Sequence, residues 1–195
     1  MKRGATLLIL AFMPLFISTS CEDDAKLCDI LEKADLTCDI GLSTASIILG
    51  ESMNIINQVT NLIFGGVNAL ADCTKTAEAS DSDVNVLYRE SPDAAWEITK
   101  NFDLLIKSLI AGGLDEQAVE LLLNKPGQYV FETNADVEDD VDERDENNNT
   151  ASIGGRGMAS NNYARSAILT VLPNPDYTPD PGRPQVEIIS ITRIQ

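Results

Sequence analysis

Histidine is absent from all 195 residues. Its absence removes Ser-His-Asp and Cys-His nucleophile machinery and every histidine metal site. Cations are scarce: 14 Lys and Arg stand against 31 Asp and Glu, a net charge of −17. A surface so acidic repels phosphate backbones and anionic headgroups, which argues against nucleic acid as a partner. Aromatics make up only 5% of the chain and include one tryptophan, Trp96, too few for a broad sugar-stacking platform. Trp96 is expected in the core. The four cysteines contain no C-x-x-C pair, which argues against a zinc or redox dithiol site. The apolar run Ala5 to Ile17 is short of the roughly 20 residues that a membrane span needs.

What is present at the start has the parts of an export signal. Met1-Lys2-Arg3 is a basic head, Ala5 to Ile17 an apolar middle, and Ser18-Thr19-Ser20 a small-residue cleavage site before Cys21. A cysteine there resembles a lipoprotein lipobox, although Ser18 stands where that motif has an aliphatic residue. Diacylation of Cys21 would tether the chain to a membrane, because two acyl chains hold where one is marginal. Removing Lys2 and Arg3 takes the net charge to −19. The organisation expected is a signal over 1–20, an acidic tether over 21–33 and a single domain over 34–172. A proline-rich linker and tail strand over 173–195 completes it. Glu22-Asp23-Asp24 opens the tether, and Leu27, Ile30 and Leu31 give it a short helical character.

Behind the tether, short segments recur about every ten residues, separated by Gly, Pro, Asn and Asp, the pattern of a β-sandwich or barrel. Ala34–Ile40 alternates apolar and polar, and Met53–Asn61 and Val84–Tyr88 read as strands two and three. Trp96–Ile98 and Phe102–Ile110 offer two more, and Gln117–Leu123 follows, although its Glu and Leu would also suit a helix. Val67–Asp72 reads as a helical turn carrying Cys73. Gly127 followed by Tyr129 on a late strand has the layout of a tyrosine corner, in which the phenol bonds a backbone carbonyl. Phe131 then occupies the place of an immunoglobulin domain's second cysteine. Ala164–Leu172 is the last core strand. Five prolines over 173–184 make a linker. Val186–Ile194 is strand-like, able to pair within the chain or with a neighbour's exposed edge.

The segment Pro126-Gly127-Gln128-Tyr129 through Ala135-Asp136, then Val141-Asp142-Glu143-Arg144-Asp145-Glu146-Asn147-Asn148-Asn149, resembles the cell-adhesion-related domain of bacteria, CARDB. That family's pattern is G-x-Y, a strand ending in Asp, then V-x-E-x-x-E-x-N-N. Ala34-Asp35-Leu36 is similar to its opening, Val59-Thr60-Asn61 to the end of its second strand, and Leu109-Ile110-Ala111-Gly112 to its L-x-x-G turn. The resemblance spans about 34–172. It departs from the family in a longer 62–80 segment and an insertion before the last strand, so Asn161-Asn162 is an alternative match for the Asn pair. It implies an all-β, immunoglobulin-like antiparallel β-sandwich of about seven strands, with adhesion or ligand-presenting roles and no catalytic residues.

Two chemical sites are expected. In an oxidising compartment, Cys28, Cys38 and Cys73 allow one disulfide and one odd thiol, with Cys38–Cys73 preferred over Cys28–Cys73. The acidic run from Asp136 to Glu146 offers hard oxygen ligands, and Asp136, Asp139 and Glu143 are the candidates for calcium. No cofactor is required, and a solvated hairpin tip accounts for the same residues. The function expected is a non-catalytic cell-envelope lipoprotein, probing a protein or glycan ligand and facing the membrane through Cys21. Its place would be the outer membrane, exposed at the surface, or the medium if Cys21 is not lipidated. The alternatives are a structural subunit connected through the C-terminal strand, a glycan-binding protein and, last, a glycoside-active enzyme.

Overall fold

The computed structural model describes residues 34, 36–62, 76–110, 112–135, 141, 162–178 and 182–194. Among them are ten strands and no helix: β1 (Leu36–Leu42), β2 (Ser46–Ile48), β3 (Ser52–Asn61), β4 (Ser80–Arg89), β5 (Glu97–Ile106), β6 (Leu114–Leu123), β7 (Gly127–Ala135), β8 (Tyr163–Arg165), β9 (Leu169–Leu172) and β10 (Val186–Ile194). One sheet has the order β1-β3-β6-β10, the other β2-β9-β7-β4-β5, with β8 beside β7. All pairs are antiparallel except β2 with β9. The architecture is the expected sandwich. The strands beyond seven include the three-residue β2 and β8, too short to show as periodic runs.

Alternation fixes which side chains face inward. Along β3, Met53, Ile55, Asn57, Val59 and Asn61 are buried; along β7, Tyr129, Phe131, Thr133 and Ala135 are. Two apolar clusters result. The larger joins Ile40, Ile55, Val86, Leu121, Tyr129 and Phe131, and the smaller joins Leu36, Val59, Ile106, Ala135 and Val141. Between them β1, β3, β4, β6 and β7 each carry a polar inward residue: Cys38, Asn57, Ser82, Gln117 and Thr133. Ser82 and Thr133 share a hydroxyl hydrogen bond of 2.9 Å, and the Asn57 amide donates to Ser82 Oγ at 3.5 Å. Buried polar groups need such partners. The layer divides the sandwich into a base, where the chain enters at Ala34, and a tip, where Pro126 and Gly127 turn into β7.

Expectations change for β5 and for Trp96, and the strand expected over Gln117–Leu123 is borne out. Trp96–Ile98 and Phe102–Ile110 are not separate strands; Glu97–Ile106 is one. Its pairing with β4 slips between Val86 and Leu87, and Thr99 Oγ1 donates to Val86 O at 3.1 Å. That bulge shifts the period-two pattern by one residue, so a continuous strand reads as two. Gln117–Leu123 is strand and no helix, because β6 pairs β3 on one side and β10 on the other. Tertiary pairing outweighs its helix formers. Trp96 is only half-buried rather than a core residue. Tyr129 and Phe131 fill the core instead.

The tail strand pairs within its own chain. β10 runs antiparallel to β6 from Val186 opposite Leu123 to Ile194 opposite Glu116, with a bulge between Ile188 and Ser190. Near its end Arg193 reaches inward. Its Nε lies 2.8 Å from Oδ1 of Asp115, whose side chain is fully buried, and its Nη2 donates to Leu105 O at 2.8 Å. Lys107 Nζ stands 3.8 Å from the same carboxylate, and the Lys107 backbone N–H and Gln117 amide donate to Oδ2. One buried carboxylate thus ties β5, β6 and β10 together. The linker is likewise fastened where described: Asn174 donates to Leu49 O at 3.0 Å, and Asn124 Oδ1 accepts from Gln185 N–H at 2.6 Å.

Candidate functional site at the sandwich tip

The tip is built around the start of β7. The Tyr129 hydroxyl donates to Lys125 O at 2.9 Å, the expected tyrosine corner, and Tyr88 donates to Pro126 O at 3.0 Å. Their rings meet at 5.0 Å between centroids, tilted by 55°. Desolvation pushes both phenols above the ordinary tyrosine range, so both remain donors. Gly127 has φ of +143°, and a Cβ there would lie 2.6 Å from Tyr88 Cε2 and 2.8 Å from Arg89 O. Only glycine fits that turn.

Arg89, the last residue of β4, fastens the β4–β5 loop. Its Nε donates to Gln128 Oε1 and its Nη1 to Pro92 O, both at 2.8 Å. Its guanidinium stands 4.4 Å from the Trp96 ring centre, and that of Arg165 stands 5.6 Å away. Arg165 is paired with Glu132 at 3.1 Å. These guanidinia compete with any sugar for the tryptophan ring.

Two clefts open here. One, of about 660 Å³, is lined by Pro92, Pro126, Gly127, Val171, Leu172 and Pro173, with Glu90, Lys125, Gln128 and Thr170 as its polar groups. The other, of about 480 Å³, includes Tyr88, Arg89, Glu90, Glu97, Lys125 and Arg183 in its walls. Glu90 and Lys125 belong to both, and Lys125 Nζ lies 5.6 Å from the Tyr88 ring centre. The described residues carry seven Lys and Arg in an acidic chain, and three of them, Arg89, Lys125 and Arg183, line the second cleft. Apolar walls with a few placed charges are the make-up of a binding cleft. The Pro126-Gly127-Gln128 segment of the tyrosine corner marks one wall of this site, while its other residues lie on separate segments and meet only through the sheet register.

Of the sequence-derived candidates, Cys21, Cys28, Cys73, Asp136, Asp139 and Glu143 lie outside the described residues, as do the 22–33 tether and the 67–72 turn. Among the described residues no group of three acidic or cysteine side chains is placed to hold a metal ion. Asp83 faces Asp103 across β4 and β5, and desolvation raises its carboxyl pKa despite hydrogen bonding from Asn101. The two carboxylates sit side by side on the sheet and neither lines a cleft.

Cys38 pairs with no cysteine among the described residues and lies in the polar layer, its Sγ 3.7 Å from Thr133 O. Burial pushes the thiol up from 9.0 to about 12. Its contribution to stability is complete below pH 9.0 and is lost as pH rises through about 12, since the unfolded thiol ionises first. Melting temperature is therefore expected to fall above pH 9.0, and Cys38→Ala to delay that fall until the tyrosines titrate. Identical alkaline profiles for both proteins would remove Cys38 from this account.

Comparison with known proteins places this geometry. The CARDB family model matches residues 33–153, which leaves β8, β9 and β10 beyond it. Curated proteins give no match. Among solved structures, the CARDB domain of a Pyrococcus furiosus protein in complex with di-metal ions is 18% identical, with 73% of this chain and 91% of that one covered and a TM-score of 0.47. The solution structure of the same domain is 19% identical, covering 72% and 96%, with a TM-score of 0.42. An alkylpurine DNA glycosylase of Pseudomonas fluorescens bound to DNA with an abasic-site analogue is 18% identical, covering 53% and 28%, with a TM-score of 0.40. With a family match over more than half its length and the two-sheet sandwich that the resemblance implies, the chain belongs to the CARDB family.

Proposed function

We propose that the protein is an envelope-displayed binding module, held by a lipid on Cys21, that takes a protein or glycan ligand of the cell envelope at the sandwich tip. The CARDB family is a non-catalytic, binding-type immunoglobulin-like fold associated with cell-adhesion-related roles. The observation that carries the reading is the paired clefts at the end opposite Ala34, where the tether joins. A strand of ten residues is roughly 30 Å long, so a chain anchored at its base holds these clefts away from the membrane. A structural subunit using the tail as connector is less favoured, because β10 is already paired to β6 of its own chain.

Lys125→Glu is the discriminating substitution, since Lys125 belongs to both clefts. Against an array of envelope glycans and envelope proteins, the parent is expected to bind and the variant to lose at least about tenfold in affinity at unchanged melting temperature. Equal binding by the two proteins would move the site off the tip. Mass spectrometry of the mature N-terminus tests the anchor, which an unmodified Cys21 would exclude.

A further inference from the structure

β10 is the outermost strand of its sheet, and no strand among the described residues pairs with its far edge. The Asn124 N–H donates to Gln185 O at 3.3 Å, which sets the alternation of the antiparallel ladder. Glu187, Ser190, Thr192 and Ile194 turn their backbone groups toward β6, opposite Leu122, Glu120, Ala118 and Glu116. Val186, Ile188, Ile191 and Arg193 turn theirs outward.

The other long edges are guarded. On β1 the Asp39 carboxylate accepts from the outward Ile40 N–H at 2.8 Å. On β5 the outward Leu105 carbonyl accepts from Gln117 and Arg193, and exposed Glu97, Lys100 and Asp103 line the strand. Caps and charges of this kind keep edges from pairing. The side-chain hydrogen bonds of β10, from Ser190 to Glu120 and from Arg193 to Leu105 O, run over its own chain, and none among the described residues caps its outward groups. The core is also open on this side. Ile188 and Ile191 stand on the core face, opposite the fully buried Leu121 and Val119, yet Ile188 is only half-buried and Ile191 is 49% exposed.

The bulge between Ile188 and Ser190 says which strand fits. Outward groups fall two residues apart on either side of it and three apart across it. A regular strand matches one half of such an edge and is out of phase with the other. A second β10, run antiparallel, carries the same slip in the same place. Val186 then lies opposite the second copy's Arg193, Glu187 opposite its Thr192 and Ile188 opposite its Ile191, with the twofold axis at the bulge. Core-face residues meet core-face residues on both sides of the axis, and outer-face residues do likewise. No like charges stand opposite, since Glu187 meets a threonine and Arg193, already paired with Asp115 at 2.8 Å, meets a valine.

We propose that β10 is the interface of a twofold homodimer, in which two copies pair their free β10 edges antiparallel and join their four-stranded sheets into one. A contact of this kind uses the same patch on both copies and closes on itself. β10 stays on β6 of its own chain, so no tail is exchanged. The copies are turned end for end, each tip beside the other's base. The pairing belongs to the domain and needs no acyl chain on Cys21. Repulsion between two chains of net charge −17 opposes it, and salt screens that repulsion.

The test is sedimentation equilibrium of residues 21–195 with Cys21→Ser under reducing conditions, so that neither an acyl chain nor a disulfide links copies. A monomer–dimer equilibrium is expected, with a dimer fraction that grows as NaCl is added. Ile191→Pro removes an outward N–H and leaves the β10–β6 ladder its bonds. It is expected to weaken dimerisation at least about tenfold, because the axis doubles every lost hydrogen bond. Ile191→Lys sets a charge on the core face of the same edge and is expected to do the same, whereas Ile191→Val should dimerise like the parent. Melting curves establish that the variants fold. Exchange of the Ile191 and Arg193 amides is expected to slow as protein concentration rises. A parent that stays monomeric at ~1 mM would overturn the proposal. So would a dimer that Ile191→Pro and Ile191→Lys leave intact, one that salt dissolves, or outward amides that exchange at one rate at every concentration.

Discussion

Gly127→Val is expected to lower the free energy of unfolding by about 3–5 kcal/mol, the sum of a strained backbone and an overpacked turn. The residue holds φ at +143°, and its missing side chain is where Tyr88 Cε2 and Arg89 O approach. The carbonyl cannot yield without disturbing the last pair of the β4–β7 ladder, Arg89 with Gln128. Tyr88 cannot yield without leaving Pro126 O or Tyr129. The damage therefore reaches both clefts, and ligand binding at the tip is expected to vanish before the fold does. Gly41→Ala is the control: its Cβ would meet Ile56 Cβ at 3.9 Å, an ordinary contact. Urea denaturation of the two variants decides the matter. If Gly127→Val unfolds within about 1 kcal/mol of the parent, the turn is more compliant than this geometry allows.

Arg193→Ala is expected to cost about 2–3 kcal/mol. Removing one partner of a buried pair costs about 3–5 kcal/mol when the remaining charge is wholly uncompensated. Here the loss is smaller, because the Arg193 side chain is 42% exposed and Lys107 stays 3.8 Å from Asp115. The effect should be local first. β10 buries only Val186 fully, so its ladder to β6 depends on the Arg193 contact at its far end. Amide exchange in β10 is expected to accelerate ahead of global unfolding. In a double-mutant cycle, Asp115→Asn on the Arg193→Ala background should restore about 1 kcal/mol or more by neutralising the stranded carboxylate. Additive losses would mean that the two side chains do not act as a pair.

The parts that could be read from the chain alone are those that local pattern controls. Period-two alternation located β1, β3, β4 and β7, because a strand with one buried face writes its register into successive residues. Gly127 and Tyr129 announced the corner because a left-handed turn and a phenol two residues later are themselves local. The family followed from the same hairpin. Where pattern and partner disagreed, the reading failed. The bulge at Thr99 split β5 in two, whereas Gln117–Leu123, read as a strand despite its Glu and Leu, is one because β3 and β10 flank it. Trp96 was assigned to the core by residue type, while Arg89 holds it half-buried at the rim of the β4–β5 loop.

The sequence by itself determined that this is an acidic, histidine-free, all-β chain with an immunoglobulin-like corner. Those properties are set by composition and by neighbours within a few residues. Only the tertiary structure decided that Lys125, Arg89 and Arg183 share one cleft, that Arg193 closes on Asp115, and that the clefts lie at the end opposite Ala34. Each of these joins residues tens of positions apart. Such distances are fixed by which strands pair and in what register, and that choice belongs to the burial of the whole core rather than to any segment of it.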